Sequence, residues 1–397
     1  MLTISNKGRL MPESPIRKLV PYAEKAKKNG VKVFHLNIGQ PDIETPYSAI
    51  EAVKNSNIKV LAYSKSEGDF ELRNKICDYY SKINIEINES QLIVTSGASE
   101  ALLFTIGSIM DPGDEIIIPE PFYANYNGFS VANGVNIIPI FSSIDNNFEL
   151  PKIQEFENLI SSNTKAILIC NPNNPTGYVY SYDEIKTLVE IVKKHNLFLI
   201  ADEVYREFTY DNVSHTSIMK FDDIKQHAIV IDSVSKRYSM CGARIGCIIS
   251  KNSEFISAAM KFAQARLSPP TLAQIASTAA MDTGEDYFDK VINEYDNRRK
   301  TLVEGLKKIP GVKVSEPKGA FYCVVELPVD NSEHFAKWLL EEYSLDNETI
   351  MIAPAAGFYS TPNIGLNQVR IAYVLNQNDL ESCINILKNG LMEYLKQ

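Results

Sequence analysis

Residues 233–246, SVSKRYSMCGARIG, place Lys236 between serine-bearing neighbours directly after the apolar run AIVID, with Arg244 eight residues further on. A lysine on a solvated face has no need of such company. A reactive lysine does, because its amine must shed a proton and meet a partner that other groups hold in place. Three other apolar runs end in polar or turn-forming residues: QLIVT (91–95) runs into SGASEA, KAILIC (165–170) into NPNNPTG, and LFLIA into DEVY. In open α/β sheets ligands bind beyond the carboxyl ends of the strands, so these four ends are expected to face one cleft.

The partner of the lysine is narrowed by what is absent. No two glycines stand two residues apart and no GxxxxGK occurs, so neither the dinucleotide fingerprint nor a P-loop is present. Lys236 can form an imine with a carbonyl group, and the cofactor that joins an aldehyde, a phosphate and an electron sink is pyridoxal phosphate. Its pyridine nitrogen needs a fixed carboxylate, for which Asp202 at a strand end is the candidate; a helix N-cap is the competing reading of that residue. Asn174 and Tyr205 stand on neighbouring strand ends as partners for the phenolic oxygen. Arg244, with the hydroxyls of Ser233 and Ser99, suits the phosphate, and SGASEA adds a glycine turn whose first helical amides, at Ala98 and Ser99, can hold an anion. A plain capped turn is the alternative for that segment.

These groups need a scaffold, and the chain supplies one. Seven short runs rich in β-branched residues stand at 91–95, 114–119, 136–141, 165–170, 197–202, 228–232 and 244–250. Most are flanked by amphipathic stretches such as SYDEIKTLVEIVKKHN (181–196), with Ser181 as N-cap. Continuous apolar strands alternating with helices predict an α/β fold whose mostly parallel seven-stranded sheet is covered on both faces. This pattern fills residues 45–284, the expected large domain. From 285 the texture changes to a charged helix, short strands and a terminal helix, so 285–397 together with 1–44 is expected to form a smaller α+β domain. The net charge of −9 argues against nucleic-acid or anionic-membrane partners. Cysteines 77, 170, 241, 247, 323 and 383 form no CxxC, no metal site is expected, and the five histidines (35, 195, 215, 227, 334) read as structural or surface groups. A polar amino terminus and the lack of a bilayer-length apolar run point to a cytoplasmic protein.

At this point NPNNPTG, ADEVY and SVSKRYSMCGARIG resemble the signatures of class I/II aminotransferases, pyridoxal-phosphate enzymes of fold type I. LNIGQPDIETP (36–46), LAYSKSEGDFELR (61–73), DPGDEIIIPEPFY (111–123), PKGAFY (317–322) and VRIAY (369–373) extend the resemblance over nearly the whole chain. It implies that Lys236 carries the cofactor and moves the proton, that Asp202 meets the pyridine nitrogen, and that Asn174 and Tyr205 meet the phenolic oxygen. Tyr123 resembles the aromatic residue against the ring face. Ser99, Ser233, Arg244 and the Ala98 amide resemble the phosphate ligands. Tyr63 resembles a tyrosine reaching the partner subunit's cofactor phosphate, which implies a homodimer. Arg370 resembles the clamp on the substrate α-carboxylate, helped by Asn174 and the backbone near Gly39, because a guanidinium grips a carboxylate with two parallel bonds.

The implied activity is amino-group exchange between an L-amino acid and a 2-oxo acid, with aspartate and glutamate/2-oxoglutarate as the expected pair. One departure bears on that pair: Ser99 stands where related aspartate enzymes often carry a lysine for the side-chain carboxylate. Arg17, in SPIRKL, is a substitute whose plainer explanation is a solvated arginine at a helix start. Aromatic or alanine-type transamination is the runner-up, with the loop IAPAAGFYSTPNIG (352–365) expected to close over apolar side chains through Phe358 and Tyr359. A carbon–sulfur lyase of the same fold shares every cofactor residue. A non-enzymatic sensor domain would need a DNA-binding appendage or a missing lysine, and the chain has neither.

Overall fold

The computed structural model describes residues 2–396. Its central element is a seven-stranded sheet in which the strands run, edge to edge, Leu92–Thr95, Gly246–Ile249, Ala228–Ser233, Phe198–Asp202, Thr164–Cys170, Glu115–Glu120 and Asn136–Phe141. All seven runs predicted from sequence are strands. Five of them pair in parallel, while Gly246–Ile249 is antiparallel to both its neighbours. The continuous apolar texture has a direct cause. Alternate residues point to opposite faces, so Leu168, Ile200 and Ile229 enter one core while Ile167, Leu199 and Val230 enter the other.

The helices form where caps and periodicity coincide. Tyr182–His195 begins at Ser181, whose hydroxyl accepts the Glu184 amide while Glu184 reaches back to the Ser181 amide. It ends at Asn196 in the left-handed conformation, with Ile185, Leu188, Val189 and Val192 buried against the sheet. The helix Ala98–Ile109 starts at Gly97, whose φ of 81° suits glycine. Its entry lies against Gly246, where an added Cβ would sit 2.7 Å from the Ala98 nitrogen and 2.9 Å from the Asp232 carbonyl oxygen. That close approach seats the helix start on the sheet beside the end of Ala228–Ser233.

Two smaller sheets complete the chain. Ala353–Pro354, Gln368–Ala372, Tyr322–Glu326 and Lys313–Val314 form an antiparallel sheet in that order. Lys32–His35 pairs in parallel with Glu348–Met351. This amino-terminal strand did not stand out in the sequence: it is four residues long, begins with an exposed lysine, and its partner lies more than 300 residues away. The amides of Lys318 and Gly319 both bond the Gly177 carbonyl, docking PKGAFY onto the NPNNPTG loop. Among the described residues no helix is long and apolar enough to cross a membrane.

The backbone on both sides of Gly246 leaves no room for relaxation. Gly246→Ala is therefore expected to lose about 1–3 kcal/mol of stability, the usual cost of overpacking. Urea unfolding monitored by circular dichroism checks this, and an unchanged midpoint would show that the crossing point tolerates a side chain.

Candidate active site

A cleft of about 630 Å³ opens over the carboxyl ends of the central strands. Lys236, Asp202, Tyr205, Ala98, Ser99, Tyr123, Asn174, Ser233, Arg244, Arg370 and Gly39 all line it. Residues from distant stretches of the sequence thus share one cavity, as expected for parallel strands that end on the same edge. Tyr63 is the one candidate that the fold does not bring to the cleft of its own chain. It is 80% exposed, on a loop where Val60 and Leu61 are exposed too. None of the five histidines lines the cleft, and the described residues contain no group of acidic, histidine and cysteine side chains able to hold a metal.

Lys236 sits on the short helix Val234–Arg237, which follows its strand without an intervening loop. Ser233 caps that helix, accepting the Ser235 amide at 3.1 Å, and its Oγ stands 2.7 Å from the Ile245 carbonyl oxygen. Lys236 Nζ donates to the Gly39 carbonyl at 2.7 Å and lies 3.5 Å from Cys241 Sγ. Gly39 itself has no alternative, since a Cβ would overlap the Tyr322 hydroxyl. Arg244 spans the mouth of the glycine turn, its Nη1 donating to the Cys241 carbonyl at 3.1 Å and its Nη2 to that of Ser96 at 3.4 Å.

Asp202 is buried at the end of Phe198–Asp202, and the residues after it form a turn, so it caps no helix. Its Oδ2 accepts the Tyr126 hydroxyl at 2.8 Å, while its Oδ1 is buried with no hydrogen-bond partner. Burial pushes its carboxyl up to about 6 despite the Tyr126 bond. Tyr205 donates to or accepts from Tyr322 at 2.9 Å between the hydroxyls. Tyr123 accepts from Asn125 at 2.7 Å and lies edge-on to Tyr126.

Arg370 is the largest fully buried side chain. Its Nη1 donates to Asn174 Oδ1 at 3.0 Å, its Nη2 donates to the Asn37 carbonyl, and its Nε has no partner. The guanidinium lies 4.4 Å from the Tyr322 ring centre and 4.9 Å from that of Phe358. Burial pulls it below the usual arginine range. Three of these contributors escaped the sequence analysis as site residues: Tyr126, Asn37 and Tyr322. Tyr322 stood in PKGAFY and Asn37 in LNIGQ, both conspicuous motifs, whereas nothing local marks Tyr126. Two expectations are refined. Arg17 is solvent-exposed, as expected, but it stands in the turn at residues 15–19 that precedes the helix Val20–Lys28 and also lines the cleft. Phe358 and Tyr359 are buried, Phe358 against Arg370 and Tyr359 through a 2.6 Å bond to Gln368, so neither lines the cleft.

A lysine amine, a buried carboxyl with an unpartnered oxygen and a buried guanidinium with an unpartnered nitrogen share one cleft over an α/β sheet, a set suited to amine and carboxylate chemistry. The chain belongs to the family described as aminotransferase class I and II, which matches residues 31–388, and it is a transaminase. It is 32% identical over 394 residues to an aspartate aminotransferase of Pyrococcus horikoshii, covering 98% of this chain and 97% of that one. A solved aspartate aminotransferase of Thermotoga maritima superposes with a TM-score of 0.89 at 30% identity, covering 99% of this chain and all of that one. An alanine aminotransferase of Pyrococcus furiosus superposes with a TM-score of 0.90 at 28% identity, covering 98% and 100%.

Asp202 carries a pH signature of its own. Its carboxyl is raised from the unfolded value near 3.9, so the folded protein holds a proton that the unfolded chain has released. That stability is complete below pH 3.9 and is lost as pH rises through about 6. In protein dialysed free of small molecules, Asp202→Asn is expected to gain on the wild type over this window, by about 3 kcal/mol above it. Thermal melts from pH 3.5 to 8 read the difference; parallel curves would show that Asp202 does not titrate there.

Proposed function

We propose that the cleft holds pyridoxal 5′-phosphate on Lys236, and that the enzyme exchanges amino groups between aspartate and 2-oxoglutarate. The observation that carries the cofactor is the orphaned Oδ1 of buried Asp202 in the cleft that Lys236 lines, an acceptor suited to a protonated ring nitrogen. When bound, this cofactor supplies an aldehyde carbon that exchanges amines and a ring that takes up the electron pair released at the substrate Cα.

The chain's own residues would do the rest. Lys236 Nζ takes the proton from Cα and returns it. Asp202 keeps the ring nitrogen protonated, Asn174 Nδ2 and the Tyr205 hydroxyl donate to the phenolic oxygen, and Tyr123 covers a ring face. Ser99, Arg244, the Ala98 amide and Ser233 hold the phosphate. Ser233 does so while also capping the lysine's helix, so its role is divided. Arg370 clamps the α-carboxylate, with Asn174 bonding the guanidinium and Gly39 leaving space beside Tyr322. Asp202, Tyr205 and Arg370 are already held by hydrogen bonds before substrate arrives, which is where positioning contributes most to rate.

The choice of aspartate leans on the names of the relatives and on the cationic cleft. The loop 352–365 does not favour the apolar alternative, because its aromatic side chains are already engaged in the core. The alanine enzyme among the structural neighbours keeps an alanine-type activity as the second reading. Single-turnover rates at which aspartate, glutamate, alanine and phenylalanine discharge the cofactor absorbance decide between them. Aspartate and glutamate are expected to react fastest; if both are far slower than alanine or phenylalanine, the aspartate assignment is wrong. Ammonia and pyruvate release without an oxo acid would instead indicate a lyase.

Tyr63 joins this reading only in an assembly. Its exposed loop, with Val60, Leu61 and the exposed Leu267 and Leu272 on the segment that the loop bonds to, suits burial against a second copy. We therefore propose a homodimer in which Tyr63 serves the partner's cleft. Co-expressed Tyr63→Phe and Lys236→Ala chains should form hybrids with one site free of both changes. Hybrid activity with the Tyr63→Phe defect intact would place the tyrosine in cis.

A further inference from the structure

Four cations line the cleft, Arg17, Lys236, Arg244 and Arg370, against a single carboxylate, Asp202. The proposed function employs the last three cations and leaves Arg17 over. Its neighbour Lys18 pairs with Glu333, whereas Arg17 makes no ion pair among the described residues. A surface arginine without a partner is commonplace, so the charge alone means little.

The turn that carries it is not loose. The amides of Arg17 and Lys18 both bond the Ser14 carbonyl, at 3.1 and 3.0 Å. Asn37, fully buried, donates its side-chain amide to the Ile16 carbonyl at 2.7 Å, and the same residue's main-chain carbonyl accepts Arg370. Pro15 is buried against Gly357, where a Cβ would come within 2.7 Å of it. Ile16 packs on the cluster of Ala124, Ala353 and Phe358, and Phe358 covers Arg370. One residue, Asn37, and one packing cluster therefore set the backbone of Arg17 and the guanidinium of Arg370 in the same frame. Tyr123 registers both charges: burial pushes its phenol up to about 12, and Arg370 and Arg17 each pull it back.

We propose that Arg17 pairs with the side-chain carboxylate of a dicarboxylic substrate whose α-carboxylate Arg370 holds. This rests on the reading of the cleft as an amino-acid site and supplies the charge that Ser99 does not. A buried guanidinium held by hydrogen bonds and an exposed one on an anchored turn, lining the same cleft, suit a ligand with two carboxylates, and the exposed arginine meets the distal one without the desolvation that a buried cation would suffer.

The test is calorimetric titration of the holoenzyme with succinate and with butyrate, which share a four-carbon skeleton and differ in the second carboxylate. Wild type should bind succinate about tenfold or more tightly than butyrate, as expected of a charge-assisted pair. Arg17→Gln should bring that ratio close to one, and Arg17→Lys should restore part of it. A wild-type preference for succinate that survives in Arg17→Gln overturns this inference and leaves the aspartate reading standing. Loss of both ligands to the same degree in Arg17→Gln also overturns it, since the residue would then be serving structure. No preference in the wild type removes the aspartate reading and this inference together.

Discussion

A guanidinium taken fully out of water must be supplied with acceptors and flat surfaces, and Arg370 obtains them from three remote parts of the chain and from the loop that precedes it. Asn37 comes from the amino-terminal segment, Asn174 from the loop after Thr164–Cys170, and the rings of Tyr322 and Phe358 from the antiparallel sheet and the loop before Arg370. The interaction therefore pins the antiparallel sheet, the central sheet and the chain's first segment around one point. Its Nε remains buried without a partner, which is what the proposed grip on a substrate carboxylate requires.

A second buried charge system lies under the lysine. Arg237 donates to both oxygens of Asp232, at 2.9 and 2.8 Å, and to Glu207 at 2.8 Å, while Arg206 donates to Glu203 and Tyr80, both at 2.6 Å. Asp232 and Arg237 bracket Ser233–Lys236, so the bidentate pair closes the strand end and the short helix onto each other. Such pairs contribute modestly to stability when intact and are costly to break. Their structural effect is geometric: Lys236 is attached to a segment whose two ends are tied. Its amine can reach the Gly39 carbonyl on one side and the cleft on the other.

The scaffold was largely legible because its cause is local. A strand covered on both faces must be apolar at every position, and the seven runs show this without reference to their neighbours. Ser181 and Glu184 announce a helix start by the same logic, since the orphan amides they satisfy are their own. Lys32–His35 did not announce itself, because its stability comes from a partner at the other end of the chain. Phe358 and Tyr359 misled for a related reason. An apolar loop looks the same whether it lids a cleft or packs under an arginine, and burial is a property of the surroundings.

The sequence by itself determined the class of chemistry: a lysine just past one strand, a carboxylate at the end of another and an arginine within a third, in motifs whose order and spacing leave little freedom. Residue type sets what a side chain can donate, accept or attack, and that much is written in the chain. Only the tertiary structure decided which groups are left unsatisfied. Asp202 Oδ1 is free because Tyr126 occupies Oδ2, Arg370 Nε is free because Asn37 and Asn174 take the other nitrogens, and Arg17 faces the cleft because Asn37 and Gly357 hold its turn there. Hydrogen-bond satisfaction is settled by contacts between distant residues, so no reading of neighbours along the chain could have shown it.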